Sequence, residues 1–222
     1  MEQRKWVSVD RYYKELFIGQ DDALDSALKN SAKHELPQIA VSAAQGKFLN
    51  LLVKTSGAKR ILEIGTLGGY SSLWMAYALG DDGKIITLES ETAYAEVAQE
   101  NFENAGQQDK IEIKTGAATE TMQAMIDQGE EPFDLIFMDA DKPNNPNYFK
   151  LAMKLAKQGT IIIADNVVRD GEIVNADSED EAIQGLRACN ALIANEPRVT
   201  ATTLQTVGDK GYDGFAFIRV EE

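Results

Sequence analysis

The chain has 222 residues, enough for one α/β domain with an ample core, and its apolar content of 44% and charged content of 26% are ordinary for a globular protein. The 36 acidic and 22 basic residues give a formal net charge of -14, which disfavours nucleic acid and anionic membranes as partners. Cys189 is the only cysteine, which excludes an intramolecular disulfide. The chain lacks an apolar run long enough to span a bilayer and the N-terminal apolar stretch of a signal peptide, so we expect a cytoplasmic location.

The N-terminal quarter of the chain is predicted to be helical. Apolar residues recur at helical spacing from 10 to 17, Asp21 begins a second helix, and Pro37 interrupts the pattern. Ser42 is of the residue type that caps a helix N-terminus, and it precedes a third apolar face. The pattern therefore predicts a helical segment over 1–56.

From residue 57 onward the pattern alternates between strands and helices. The predicted strands are 60–64, 84–88, 110–114, 134–138, 159–164, 199–206 and 214–220, and the predicted helices are 70–79, 91–105, 119–127, 147–157 and 178–194. This alternation predicts a Rossmann-like α/β fold: a seven-stranded, mostly parallel sheet with helices on both faces. The turn-rich stretch 207–214 makes the last two strands an antiparallel hairpin, and we expect one domain over 1–222 with its core in 57–222.

A glycine-rich loop follows the first predicted strand, in the run Glu63-Ile64-Gly65-Thr66-Leu67-Gly68-Gly69-Tyr70-Ser71. A dinucleotide loop would carry glycine where this chain has Leu67, and Glu63 would repel a pyrophosphate. A carboxylate at that position suits a ligand with an ammonium or sulfonium group. The loop therefore predicts S-adenosylmethionine (SAM) as the cofactor.

The second predicted strand ends in an acid, Glu89. An acid at this position of a mononucleotide-binding half accepts hydrogen bonds from ribose hydroxyls. Dehydrogenases share the feature, so Glu89 indicates an adenosine without choosing among cofactors.

Two further strands end in acids, at Asp139 and at Asp165, and Asn166 follows directly. The carboxyl ends of parallel strands meet at one edge of a sheet, so these side chains are expected to lie together. Such an all-oxygen set suits a hard cation such as Mg²⁺. Strand-end acids also serve simply as turn residues, which is the alternative for each of them alone.

Lys142 follows Asp139 by three residues, in the loop expected to cover this edge. A lysine beside a divalent cation holds its proton less tightly, so Lys142 is a candidate base. Metal coordination activates and orients a hydroxyl, and a vicinal diol would occupy two coordination positions. Together these features predict methyl transfer to one hydroxyl of a diol.

The segments involved resemble those of a known family over nearly the whole chain. They are Val9-Asp10-Arg11-Tyr12, Ile39-Ala40-Val41-Ser42, Gln45-Gly46-Lys47-Phe48-Leu49, the loop from Glu63 to Ser72, Phe137-Met138-Asp139-Ala140-Asp141-Lys142, Asp165-Asn166-Val167 and Asp213-Gly214. In these segments the chain resembles the cation-dependent class I O-methyltransferases, the group containing the catechol and caffeoyl-coenzyme A O-methyltransferases, and most closely their bacterial members.

The resemblance implies roles for matching positions. It implies metal ligation by Asp139, Asp165 and Asn166, usually of Mg²⁺, with Lys142 as the base or the holder of the phenolate. The implied SAM contacts are Val41, Glu63, Gly65, Thr66, Ser71, Glu89, Ala118 and Asp139. The resemblance also implies a phenolic diol as substrate and a homodimer.

The chain departs from the family pattern in two segments. Asn145 stands where a tyrosine is common, in a loop expected to line the acceptor pocket. Ala117 and Ala118 lack the polar side chain that some members offer to adenine.

Other functions remain open from sequence. One is a SAM-binding protein without diol methylation, although the set of Asp139, Lys142, Asp165 and Asn166 is superfluous for binding alone. Another is a nucleotide-dependent oxidoreductase, against which Leu67 and Glu63 count.

Overall fold

The computed structural model describes residues 2–222, which form a seven-stranded sheet surrounded by helices. The strands are β1 (Arg60–Ile64), β2 (Lys84–Glu89), β3 (Ile111–Thr115), β4 (Phe133–Met138), β5 (Ala156–Asp165), β6 (Val199–Gly208) and β7 (Gly211–Val220). The helices are α1 (Glu2–Tyr13), α2 (Asp22–Lys33), α3 (Ala43–Ser56), α4 (Tyr70–Ala76), α5 (Thr92–Asn104), α6 (Ala118–Asp127), α7 (Asn145–Leu155) and α8 (Glu181–Asn195). A π-helical turn over Lys14–Ile18 and 3₁₀ segments over Lys142–Asn144 and Arg169–Val174 complete the described elements.

The sheet order is β3-β2-β1-β4-β5-β7-β6, with β1 to β5 parallel and β7 antiparallel between β5 and β6. The predicted fold class is therefore confirmed. From β1 the chain adds β2 and β3 on one side, and then β4 and β5 on the other side, so the strand order switches between β1 and β4. Ligands of such folds bind outside the carboxyl ends of the strands at this switch point.

Most differences from the predicted elements lie at their ends. Strand β5 begins at Ala156, three residues before the predicted start. The hairpin turn consists of only two residues, because Gly208 and Gly211 still pair across the ladder. Helix α8 begins at Glu181 and not at 178, since the side chain of Asp180 accepts a hydrogen bond from the N–H of Ala182 and so caps the helix there.

Apolar side chains cover both faces of the sheet. One cluster joins Ile136 and Ile162 of the strands to helices α7 and α8. The other joins Ile61 and Leu135 to the N-terminal helices through residues such as Leu49. The predicted N-terminal helices thus share a core with the strands.

The first helix begins earlier than predicted, at Glu2, and is followed by the π-helical turn. The aromatic side chains at its C-terminal end and in the turn stay outside the core: Tyr12, Tyr13 and Phe17 are each half or more exposed. Helical spacing of apolar residues predicts a helix but does not say what covers its face. Within residues 2–222, no helix combines the length and apolarity needed to cross a membrane.

Candidate active site

A cleft of about 1640 Å³ opens along the carboxyl edge of the sheet, at the switch between β1 and β4. Its walls also include the start of α3 and the β6–β7 turn. All but one of the residues predicted to form the site line this cleft; they are Val41, Gly65, Thr66, Ser71, Glu89, Ala118, Asp139, Lys142, Asp165 and Asn166. The exception is Glu63.

The glycine loop connects β1 to α4 and packs closely on the residue that follows β4. Gly65 has φ +101°, and a Cβ there would collide with the carbonyl of Asp139, so a side chain at this position is excluded by both conformation and contact. Leu67 has φ 51°, a conformation that is uncommon for a residue with a side chain, and its N–H donates to Glu89 Oε2 at 2.7 Å. The loop is therefore fixed by its close approach to the Asp139 backbone and by the Glu89 side chain.

Glu89 faces the cleft but is only 7% exposed. One carboxylate oxygen accepts from the N–H of Leu67, and the other accepts from the N–H of Glu91 at 3.0 Å. These bonds fix the carboxylate while leaving acceptor capacity for a ligand.

Glu63 lies beneath the loop, fully buried, where the sequence predicted a direct charge contact with the ligand. Its carboxylate accepts hydrogen bonds from the hydroxyls of Ser71, Ser72 and Thr87. Burial raises the pKa of Glu63 to about 7, although the three hydroxyls oppose that rise. Here the acid orients the hydroxyl of Ser71, which does line the cleft, and Glu63 itself stands behind the wall.

Asp139 and Asp165 stand side by side, because Met138 of β4 pairs with Ala164 of β5 and each acid follows directly. Asp165 is 4% exposed. Burial and then the charge of Asp139 raise the pKa of Asp165 to about 7, against a smaller opposing effect of Lys142. Two neighbouring carboxylates in such a place favour a bound positive charge.

Lys142 supplies one positive charge to this edge. Its Nζ lies 2.9 Å from Asp139 Oδ1, and its side chain is 9% exposed. The backbone of Lys142 packs tightly on α8, where a Cβ at Gly185 would collide with the Lys142 carbonyl. Because Gly185 has no side chain, the backbone of Lys142 can lie directly on α8, where Lys142 lines the cleft.

Asn166 follows Asp165 in a left-handed conformation, with φ 59°. Its backbone N–H donates to Asp165 Oδ1 at 2.8 Å, and its carboxamide takes no part in this hydrogen bond. Arg169 and Asp170 on the same side of the cleft also have positive φ. Strained backbone of this kind concentrates at functional sites.

Gln45 is a site residue whose role the sequence did not reveal. It belongs to the cap of α3, and its Nε2 lies 3.1 and 3.4 Å from the two carboxylate oxygens of Asp165. The capping pattern Ser-x-x-Gln is visible in sequence. The contact between Gln45 and Asp165, which are 120 positions apart, is not visible in the sequence.

Asn145 does not line the cleft, contrary to the expectation for its loop. It is 1% exposed at the start of α7, and neither end of its carboxamide has a hydrogen-bond partner. The neighbouring Asn144 lines the cleft instead. Asn145 turns inward because α7 begins there and its carbonyl faces Cys189 of α8.

The oxygen-donor set at this edge consists of two carboxylates and one carboxamide. Within residues 2–222, no group of three or more His, Cys, Asp or Glu side chains is placed to hold a metal. A site here would thus depend on Asn166, on backbone or water oxygens, or on a ligand to complete the shell that a hard cation needs.

The amino-acid sequence matches a family model described as O-methyltransferase over residues 15–217. A catechol O-methyltransferase of Niastella koreensis is 45% identical over 221 residues, which cover 100% of both chains.

Two solved structures are similar over nearly their full lengths. The O-methyltransferase of Bacillus cereus in complex with S-adenosylhomocysteine (SAH) has a TM-score of 0.97 and 49% identity, with 98% of this chain and 99% of that chain covered. The O-methyltransferase TomG of Streptomyces achromogenes in complex with SAM has a TM-score of 0.96 and 44% identity, with both chains fully covered.

Proposed function

Because this chain belongs to the O-methyltransferase family and takes its methyl group from SAM, we propose that its acceptor is a phenol with two neighbouring hydroxyls and that a divalent cation assists the transfer. The observation that carries the proposal is the neighbouring acid pair of Asp139 and the buried Asp165, with Lys142 beside it, at the edge of the cleft.

The cofactor is assigned to the part of the cleft around the glycine loop. Glu89 would accept hydrogen bonds from the ribose hydroxyls, since its carboxylate is already fixed by two backbone N–H groups. Val41 would pack over the cofactor. Ala118 begins α6, and the first N–H groups of a helix have no partner within it, so the adenine would meet backbone there.

The charged end of the cofactor is assigned to Gly65, Thr66 and Ser71, with Asp139 nearby. Ser71 presents a hydroxyl whose proton is directed to Glu63, so its oxygen is available to accept from an ammonium group. We therefore propose that Glu63 contributes to cofactor binding through Ser71.

The proposed cation ligands are Asp139, Asp165 and Asn166, and Mg²⁺ fits these donors because all are oxygens. Burial and then the charge of Asp139 raise the pKa of Asp165, and a cation would offset both effects. When bound, such a cation lowers the pKa of a coordinated hydroxyl and fixes its orientation.

Lys142 would act as the base when its amine is neutral, or would hold the phenolate when its amine is protonated. Its ammonium group lies against Asp139 and lines the cleft, so it can stabilise a phenolate next to the cofactor's methyl group. The protein's remaining task is to align the oxygen with the methyl group.

The acceptor is proposed to be a small molecule. Ten acidic and four basic side chains line the cleft, a balance that repels nucleic acid. No observation favours a protein that binds SAM without turnover, or a nucleotide-dependent oxidoreductase.

The proposal is tested by following methyl transfer from labelled SAM to a panel of vicinal-diol phenols, with Mg²⁺ and with EDTA. The matched control is each phenol with one hydroxyl removed. We expect turnover only with diols and only with the cation. Turnover that persists in EDTA would overturn the cation's role, and equal turnover of the single-hydroxyl phenols would overturn the diol.

Three further expectations from the sequence stay proposals: a single domain, a cytoplasmic location and a homodimer. The apolar side chains of Tyr12, Leu16 and Phe17, all at least half exposed, offer a surface for a second copy. Light scattering of the purified protein would give the mass. A mass equal to one chain at micromolar concentration would contradict the homodimer.

A further inference from the structure

Gln45 is held at the third position of α3 by a reciprocal cap. The Ser42 hydroxyl accepts from the Gln45 N–H at 3.1 Å, and Gln45 Oε1 accepts from the Ser42 N–H at 2.9 Å. Because the amide oxygen is occupied by an N–H donor, the opposite end of the amide must be the NH₂ group. The cap therefore fixes which atom Gln45 offers to the cleft.

That NH₂ group points at Asp165. Nε2 lies 3.1 Å from Oδ2 and 3.4 Å from Oδ1, and the backbone N–H of Asn166 donates to Oδ1 from the other side. Asp165 is 4% exposed, so water contributes little to fixing its carboxylate. Gln45 is accordingly one of two donors that set the orientation of this side chain.

The packing of α3 makes this contact possible. A Cβ at Gly46 would collide with the indole of Trp74, so the missing side chain lets α3 approach α4 closely. Phe48 packs on Phe215 with ring centroids 4.9 Å apart, and Phe215 is the β7 residue that pairs with Asp165. The N-terminal part of α3 is thus packed against both α4 and β7.

We propose that Gln45 is a positioning residue for Asp165: it orients the carboxylate toward the proposed divalent cation. Through Gln45, Asp165 is also connected to the cap of α3, which follows Val41 in the chain. The inference rests on the proposed function, because it assumes that Asp165 binds the cation. Hydrogen-bonded partners of metal ligands typically alter metal affinity or activity by about 10–100-fold when they are removed.

The experiment compares the full-length wild-type enzyme with Gln45→Met and Ser42→Ala. Mn²⁺ binding is measured by electron paramagnetic resonance without acceptor, SAH binding by calorimetry, and the melting temperature by heat denaturation. Met keeps the length of Gln45 but cannot donate to Asp165. Ser42→Ala removes the other half of the cap and leaves the Gln45 amide in place.

We expect Gln45→Met to weaken Mn²⁺ binding by about 10–100-fold. Both variants should lower the melting temperature by a similar amount, because each loses one cap bond. Equal Mn²⁺ affinity in wild type and Gln45→Met would overturn the inference alone. A wild-type enzyme that binds no Mn²⁺ would overturn both the inference and the proposed cation.

Gln45→Glu serves if Gln45→Met does not fold, because Ser-x-x-Glu is itself a capping box. Its carboxylate cannot donate to Asp165 and repels it. At saturating Mg²⁺ we expect kcat to fall by at least tenfold while the KM for SAM stays within about twofold. A wild-type kcat would overturn the positioning role.

Discussion

In the cofactor half of the cleft, formed by Glu63, Ser71 and Glu89 with the glycine loop, each acid is surrounded by hydrogen-bond donors. In the acceptor half, formed by Asp139, Lys142, Asp165 and Asn166, two carboxylates stand beside each other with one lysine. Glu63 has three hydroxyl donors and Glu89 has two backbone donors. Burial raises the pKa of both Glu63 and Asp165, and Asp165 also accepts from Gln45 and from the N–H of Asn166. The second-largest effect differs: hydroxyl donors lower the pKa of Glu63, whereas the charge of Asp139 raises the pKa of Asp165 further.

We infer from this difference that the proposed cofactor half is complete in the protein alone, and that the proposed cation would balance the neighbouring carboxylates of the acceptor half. Saturated polar networks are rigid and specify one arrangement, and unbalanced charges favour a counter-ion. The acceptor half also contains Asn166 in a left-handed conformation. Changes in one half should therefore leave the other largely intact.

The substitution Asp165→Ala should separate the two halves most clearly. We expect turnover to fall by at least about a thousandfold, because the proposed cation loses a ligand. The dissociation constant for SAM should stay within about threefold. Initial rates and calorimetry measure the two effects, and Glu172→Gln, which removes another charge lining the cleft, is the matched control. Parallel loss of SAM binding would mean that the halves are not separate.

Lys142→Met removes the positive charge of the acceptor half. We expect kcat to fall by about a hundredfold, in the range for a positioned proton acceptor. The KM for the acceptor should change by less than about threefold, because the phenol's other contacts remain. Steady-state kinetics at saturating Mg²⁺ give both values. A large rise in KM with kcat preserved would make Lys142 a residue for acceptor binding.

Glu89→Ala tests the cofactor half. We expect SAM binding to weaken by about 1.5–3 kcal/mol, because charge-assisted contacts to the ribose are lost. The Leu67 N–H also loses its acceptor. Glu89→Gln, which keeps an acceptor oxygen without the charge, should lose less. Calorimetry with SAH gives the affinities, and an unchanged value in Glu89→Ala would remove Glu89 from the cofactor site.

The sequence predicted the fold and the edge of the sheet where the site lies, because strand patterns and strand-end acids are local features. The α/β class follows from the alternation of elements, whereas the order of the strands comes from the structure. Asp139 and Asp165 were predicted to be neighbours for the same reason, and they are.

What the sequence could not give are contacts whose partners are distant or hidden. The donors to Glu63 include Thr87, which is 24 positions away, and only the structure shows that they enclose the acid beneath the loop. Gln45 and Asp165 are 120 positions apart, with no pairing pattern to connect them. Asn145 turns inward because α8 packs against its loop, a tertiary effect that no local pattern encodes.

The smallest predicted effect concerns the stability of the cofactor half. Burial raises the folded-state pKa of Glu63 from 4.5 to about 7, so the folded protein retains a proton that the unfolded chain has lost between these values. Stability therefore falls as pH rises through this window. In Glu63→Gln this contribution is absent, because the amide does not titrate in this range and can bond to the same hydroxyls.

Urea unfolding of both proteins at pH 6 and pH 8, without cofactor or metal, measures the effect. The wild type should lose about 1 kcal/mol more stability than Glu63→Gln on going from pH 6 to pH 8. The titration of Asp165 occurs in both proteins and cancels in the difference. Equal pH dependence in the two proteins would mean that the hydroxyls of Ser71, Ser72 and Thr87 fully offset the burial of Glu63 and keep it ionised.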